Sequence, residues 1–225
     1  MGHQQQLVIP PDVAAFAAER GLNPPANQID LAPRDAHFAV IKSLTEDDVH
    51  KSIKHSIWAS TKLGNARLDR TWREATKPGQ PPGRILLFFS VNASGHFCGV
   101  AEMLSGVDES VDSSVWAAQG KWRGLIKLRW LFVRDVPNGA LRHLKLHNTP
   151  ENKPVTSSRD TQEVPHDIGC EMLRIFATYQ SRTSLLQDFA FYDSQRPEPD
   201  DAAIVVPAAP TSPPLDDRRS RPVRR

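Results

Sequence analysis

The strongest constraint on the fold is a pair of apolar runs joined by a short turn. Arg84-Ile85-Leu86-Leu87-Phe88-Phe89-Ser90-Val91 is followed by Asn92-Ala93-Ser94-Gly95 and then by His96-Phe97-Cys98-Gly99-Val100-Ala101-Glu102-Met103. Runs of this length, bounded by turn residues, predict a buried strand, a hairpin turn and its partner strand. A third strand is predicted over 125–133. There Ile126, Leu128, Trp130 and Phe132 fall on one parity and Lys127 and Arg129 on the other, so a buried face and a basic face are expected.

Helical signals surround this β core. His37 to Ile41 reads as a first strand, and Thr45-Glu46-Asp47-Asp48 caps a helix on which Val49, Ile53 and Ile57 share a face. Ile57 to Ser60 suits a short strand, Leu68 and Trp72 one face of a short helix, and Lys77 to Gly83 a Pro/Gly loop. A further helix is predicted after Pro165 through Ile168, Met172, Ile175, Phe176 and Tyr179, with a last short one from Leu185 to Phe191. The expected class is therefore α+β, a strongly curved or barrel-like sheet with helices packed around it. Three parts are expected: an N-terminal extension over 1–34 with a short helix from Val13 to Arg20, a folded domain over 35–193, and a disordered Pro/Arg-rich tail over 194–225.

Charge and motif content narrow the function classes. Lys plus Arg number 28 against 26 Asp plus Glu, a net charge of +2, so a polyanion must be met by a local patch. The sequence has no apolar run long enough to span a bilayer and no signal-peptide pattern at Met1 to Gln6, which predicts a soluble intracellular protein without membrane association. Cys98 and Cys170 read as reduced core thiols. A Gly-rich phosphate loop, HExxH, GxSxG and CxxC are all missing, and His143, His147, His96 and Cys98 lack the spacing of a metal site. No catalytic residue, cofactor or metal is expected.

Tryptophan placement says more. Trp72 and Trp130 sit on core parities, whereas Trp58 lies beside Ser60 and Thr61, and Trp116 and Trp122 bracket the small polar segment Ala117-Ala118-Gln119-Gly120-Lys121. Indoles converging at a surface form a slot for a flat ring or a methyl group, since base–aromatic stacking is worth about 1–3 kcal/mol per base. Core packing is the alternative reading of each.

The segment Lys42-Ser43-Leu44-Thr45-Glu46-Asp47-Asp48 leading to Ile57-Trp58-Ala59-Ser60-Thr61, the block Phe89 to Met103, Lys121-Trp122-Arg123-Gly124 running into Arg129-Trp130, and Asn152-Lys153-Pro154-Val155-Thr156 with Ser158-Arg159-Asp160-Thr161-Gln162 together resemble a YTH domain. The resemblance spans about residues 35–193 and is nearest to the cytoplasmic branch of that family. It implies that residues 35–193 are an RNA-binding domain built on an open six-stranded β-barrel with flanking α-helices, a monomeric reader of N6-methyladenosine in single-stranded RNA, concerned with mRNA stability and cytoplasmic, the arginine-rich tail leaving the nucleus open. Carried over by position, Trp58, Trp116 and Trp122 would form a cage around the methylated base. Asp48, Asn92, Ser43 and the main chain of Ala59 would supply polar contacts, and Lys42, Arg67 and Arg159 would meet the RNA backbone. Each has a structural alternative: Asp48 stands at the third position of its helix, Asn92 in a turn, and Arg159 beside Asp160 and Glu163. Two departures are notable: Leu44 stands where the branch has tyrosine, and the segment from Trp116 to Trp122 is one residue longer. The competing functions are an RNA binder that recognises an unmodified motif through another face, an RNA-processing enzyme using His96 and Asp108, and a protein-interaction domain.

Overall fold

The computed structural model describes residues 7–110 and 124–195. Its centre is a curled six-stranded mixed sheet built from β1 (Ala36–Ser43), β2 (Ile57–Trp58), β3 (Arg84–Val91), β4 (His96–Met103), β5 (Ile126–Pro137) and β6 (Gln162–Val164). The spatial order is β2-β5-β4-β3-β1-β6. All neighbours are antiparallel except β1 and β3, which run parallel and are joined by a crossover through α2 (Glu46–His55), β2 and α3 (Lys62–Ala75). The two ends of the order, β2 and β6, are not paired with each other, so the barrel is open.

Both faces of the sheet are covered, which explains the near-continuous apolar run in β3. Ile85, Leu87 and Phe89 join one core with Val49 and Ile53 of α2 and Leu68 of α3. Leu86 and Phe88 join the other, with Met172, Leu173 and Phe176 of α5 (His166–Thr178) and Leu141 of the short α4 (Asn138–Leu141). The predicted strands, hairpin and capped helix all form, and Thr45 accepts the Asp48 N–H as expected of an N-cap.

Two expectations are corrected. The parity of β5 holds only from Ile126 to Trp130: Val100 pairs with Phe132 while the next residue, Ala101, pairs with Trp130, so Leu131 is an extra residue. That bulge turns Phe132 into the core opposite to Trp130 and buries both faces from Trp130 to Val133. Gly99 allows it, because a Cβ there would meet the Phe132 carbonyl oxygen at 2.5 Å and the Trp130 ring at 2.8 Å. The helix carrying Leu68 is not short; Thr61 caps it, and it runs 14 residues.

The N-terminal segment is also part of the packed body. In α1 (Pro11–Glu19) Val13 is buried, and Phe16 lies 5.3 Å from the ring of Phe189 in α6 (Phe189–Ser194). Asn23 exchanges hydrogen bonds with the backbone of Leu131 and Val133. Among the described residues no helix is long and apolar enough to cross a membrane, and no group of His, Cys, Asp and Glu is arranged to hold a metal. Most of the predicted tail lies outside the described residues.

Candidate base pocket and its basic flank

At the C-terminal end of β1 the chain runs from Lys42 through Ser43 and Leu44 into the first turn of α2. The same end of the sheet receives the residues after β2, the β3–β4 turn and the segment 158–160. Together these enclose a pocket of about 410 Å³ lined by Ser43, Asp48, Trp58, Ala59, Asn92 and Arg159 among others. Small-ligand pockets generally fall between about 300 and 1,000 Å³.

Trp58 supplies the largest ring of the lining and is more buried than its polar surroundings suggest, at 5% exposure. Its indole stands edge-on to Phe89, with centroids 5.0 Å apart and planes at 89°, and Phe89 in turn packs on Trp130 at 4.5 Å. The indole is thus anchored in the core by its neighbours while still bordering the pocket. Backbone pairing fixes it as well, since Trp58 lies opposite Ile126 of β5 and Ser56, in the left-handed conformation, turns the chain from α2 into β2.

Asp48 uses one carboxylate oxygen locally. Thr45 Oγ1 accepts the Asp48 N–H at 3.1 Å and donates to Asp48 Oδ2 at 2.7 Å, leaving Oδ1 without a partner among the described residues. Capping and pocket-lining are therefore compatible in the same residue. The Ser43 hydroxyl is buried and donates to the Thr45 carbonyl, while the Asn92 N–H donates to the Ser43 carbonyl, which ties the β3–β4 turn to the pocket floor. Leu44 is 59% exposed at the rim.

Two residues that sequence reasoning did not select organise the walls. Asp160 accepts the Lys42 N–H at 2.9 Å through one oxygen and the Ser60 hydroxyl at 2.8 Å through the other, joining β1, the β2–α3 connection and the 158–160 segment. Asn65 accepts the Ser60 N–H at 2.9 Å and donates to the Gly124 carbonyl at 3.3 Å. The sign available in the sequence was Asn65 three residues before Leu68, a polar residue on the inward face of α3; Asp160 carried no comparable sign.

Trp116 and Trp122 lie outside the described residues, but the stem of their segment is described. Asp108 and Leu125 exchange backbone hydrogen bonds of 2.8 and 2.9 Å, Asp69 accepts the Val107 N–H, and Gly124 takes a positive φ of 82°. A Cβ on Gly124 would meet Val107 Cγ1 at 2.6 Å. The stem therefore closes beside β2, and through Asn65 it is bonded to the wall that holds Trp58.

The expected basic residues are placed differently from one another. Arg159 is exposed at the pocket and makes no ion pair with Asp160 or Glu163. Arg67 donates to the Thr161 hydroxyl at 3.3 Å and lies in a neighbouring cavity of about 520 Å³ that shares Arg159 and Asp160 with the pocket. The Lys42 ammonium is turned to the Ser90 hydroxyl at 3.1 Å and stands 5.2 Å over the Phe97 ring, and burial lowers its pKa. His96 and Asp108 stand at opposite ends of β4: His96 opens the strand beside Asp135, and Asp108 lies beyond its far end.

Residues 36–177 match the family model described as YTH, the YT521-B-like domain. The chain belongs to the YTH family. Its curated relatives include YTH domain-containing family protein 2 of Danio rerio, 50% identical over 169 residues that cover 75% of this chain and 27% of the relative. The human protein 2 is 52% identical over 159 residues, 71% of this chain and 26% of the relative, and the mouse protein 1 is 46% identical over 188 residues, 84% and 32%. The YTH chain thus spans about a quarter to a third of the length of these relatives. Among solved structures, the YTH domain of Zygosaccharomyces rouxii MRB1 in complex with N6-methyladenosine RNA is 44% identical with a TM-score of 0.59, covering 67% of this chain and 92% of that one. The Pho92 YTH domain in complex with m6A is 40% identical with a TM-score of 0.62, covering 68% and 93%.

Proposed function

We propose that this YTH domain reads N6-methyladenosine in single-stranded mRNA, in the cytoplasm and in the control of mRNA stability, by taking the methylated base into the 410 Å³ pocket beside Trp58. The observation that carries the reading is the pocket itself, in which a core-anchored indole meets a carboxylate oxygen left over from helix capping, with the stem of the Trp116–Trp122 segment bonded to its wall through Asn65. The solved relatives bound to N6-methyladenosine support it. In this reading Trp58 stacks on the base, Trp116 and Trp122 close over the methyl group, and Asp48 Oδ1, Asn92, Ser43 and the Ala59 main chain meet the polar edge. Arg159 and Arg67 hold phosphates, and Lys42 contributes its main chain to the floor.

The magnitude follows from the size of the methyl group. Burying one carbon is worth roughly 0.8 kcal/mol, about fourfold. Indole contacts on the filled slot, and the extra N–H of unmethylated adenine to be satisfied, bring the expected discrimination to about 1–2 kcal/mol, or about 5- to 30-fold. Phosphate contacts add affinity that is blind to methylation and weakens with salt. Binding alone accounts for this activity, with no chemical step.

The test is a titration at fixed salt of two short single-stranded RNAs that differ only in one N6-methyl group. Preference for the methylated strand within that range supports the reading. Equal binding assigns the protein to recognition of unmodified RNA, and no binding of either strand assigns it to protein interaction.

A further inference from the structure

Trp58 belongs to β2, a strand of two residues that makes too few ladder contacts to fix the orientation of a ring by itself. The chain leaving it is held at Ser60, by Asn65 and Asp160. The chain entering it is held at Ser56, whose carbonyl accepts the Leu128 N–H at 2.8 Å and whose hydroxyl accepts a hydrogen bond of 2.9 Å from Arg20 Nη1. The same Nη1 reaches the Ile53 carbonyl at 3.4 Å, at the end of α2, where the last carbonyls lack partners within the helix. Arg20 thus ties the end of α2 to the left-handed residue that turns the chain toward Trp58.

The guanidinium is itself held in place. It lies 4.5 Å over the Phe16 ring, and Phe16 packs against Phe189. Asn23, in the turn that follows α1, exchanges hydrogen bonds with the backbone of Leu131 and Val133 in β5, the strand against which Trp58 pairs. The segment that carries Arg20 and the strand that carries Trp58 therefore share β5 as their support, and Arg20 closes the triangle between them. We infer that Arg20 is a positioning residue for the Trp58 indole, so that α1, which precedes the segment 36–177 matched to the family, sets the angle at which the ring meets the base. The inference deepens the methylated-base reading and rests on it for what the indole meets.

The experiment uses the full chain with Arg20→Gln or Arg20→Lys. It reads the indole N–H resonance of Trp58 in the free protein, assigned by its loss in Trp58→Phe, and the affinities for two short RNAs that differ only in one N6-methyl group. Arg20 is exposed, so both variants are expected to fold, and melting curves check this. Arg20→Gln should move the Trp58 resonance, leave that of Trp72 in place, and lower affinity for the methylated strand about two- to fivefold with the unmethylated one unchanged. Arg20→Lys keeps the charge and a donor and should restore most of both effects. A folded Arg20→Gln protein whose Trp58 resonance is unmoved overturns the inference. So does one that keeps the wild-type methyl preference; an equal loss for both strands would make Arg20 a phosphate contact instead. Failure of the methylated-base reading looks different: the wild-type chain then shows no methyl preference, while the Trp58 resonance still moves in Arg20→Gln.

Discussion

The Trp58 indole stands at right angles to the Phe89 ring, 5.0 Å from it, and Phe89 rests on Trp130 at 4.5 Å. A fully buried residue of β3 thus holds the wall of a surface pocket. Replacing Phe89 by Leu keeps an apolar side chain but removes the flat support, at a cost of about 1–2 kcal/mol in stability. Binding of methylated RNA should weaken more than binding of the unmethylated strand, because only the former depends on the indole's orientation. Chemical denaturation and paired titrations of the Phe89→Leu protein check both parts.

Asp160 is predicted to matter through the two donors it satisfies. Asparagine can accept from the Lys42 N–H and donate to the Ser60 hydroxyl, but this loses a charge-assisted hydrogen bond and leaves the Ser60 O–H without the acceptor it had, at a cost of about 1–3 kcal/mol. Ser60→Ala removes one partner and leaves the Lys42 N–H bonded, so its cost is about 1 kcal/mol. The expected order of melting temperatures is wild type, Ser60→Ala, then Asp160→Asn, with RNA affinity falling in the same order.

His50 couples stability to pH. Its side chain is buried, 4.5 Å from the Phe189 ring and 5.4 Å from that of Tyr192, with Asp193 at 3.2 Å and Lys54, Asp47 and His55 as the other charges around it. Burial lowers its pKa, and the nearby Asp193 offsets this only in part. The unfolded chain therefore takes up the proton first as pH falls. Stability from this group is complete above about pH 6.5, the unfolded value, and is lost as pH drops from there through the lower folded value. A His50→Gln variant should show a shallower decline of melting temperature between about pH 7.5 and 5.5 than wild type.

Leu44 occupies the pocket rim, 59% exposed, where it offers no ring to a neighbouring base. Leu44→Tyr should strengthen binding of methylated RNA by a few fold, a fraction of the roughly 1–3 kcal/mol that a fully stacked base can contribute. Isothermal titration of the variant against the same methylated strand is the check, and unchanged affinity would remove Leu44 from the contact surface.

Local pattern made much of the fold legible. Thr45 ahead of three acidic residues marked the start of α2, and the apolar run around Phe88 marked a strand covered on both faces. What escaped depends on distant partners. The extra residue at Leu131 is visible only against the register of β4, and the docking of α1 depends on Phe189, at the other end of the chain. The site divides in the same way. Trp58, Asp48, Ser43, Asn92, Ala59 and Arg159 line one pocket, while Arg67 lies in the adjoining cavity and the Lys42 ammonium is turned to Ser90. Asp160 and Asn65 went unselected because their work is to bond backbone groups and hydroxyls brought together only by folding.

The proposed recognition of the methylated base by Trp58 is tested by the ratio of affinities for methylated and unmethylated RNA in a folded Trp58→Ala protein. The ratio is expected to fall from about 5–30 to near 1, with affinity for the unmethylated strand changing far less than affinity for the methylated one. A Trp58→Ala protein that keeps the wild-type ratio would contradict the proposed recognition.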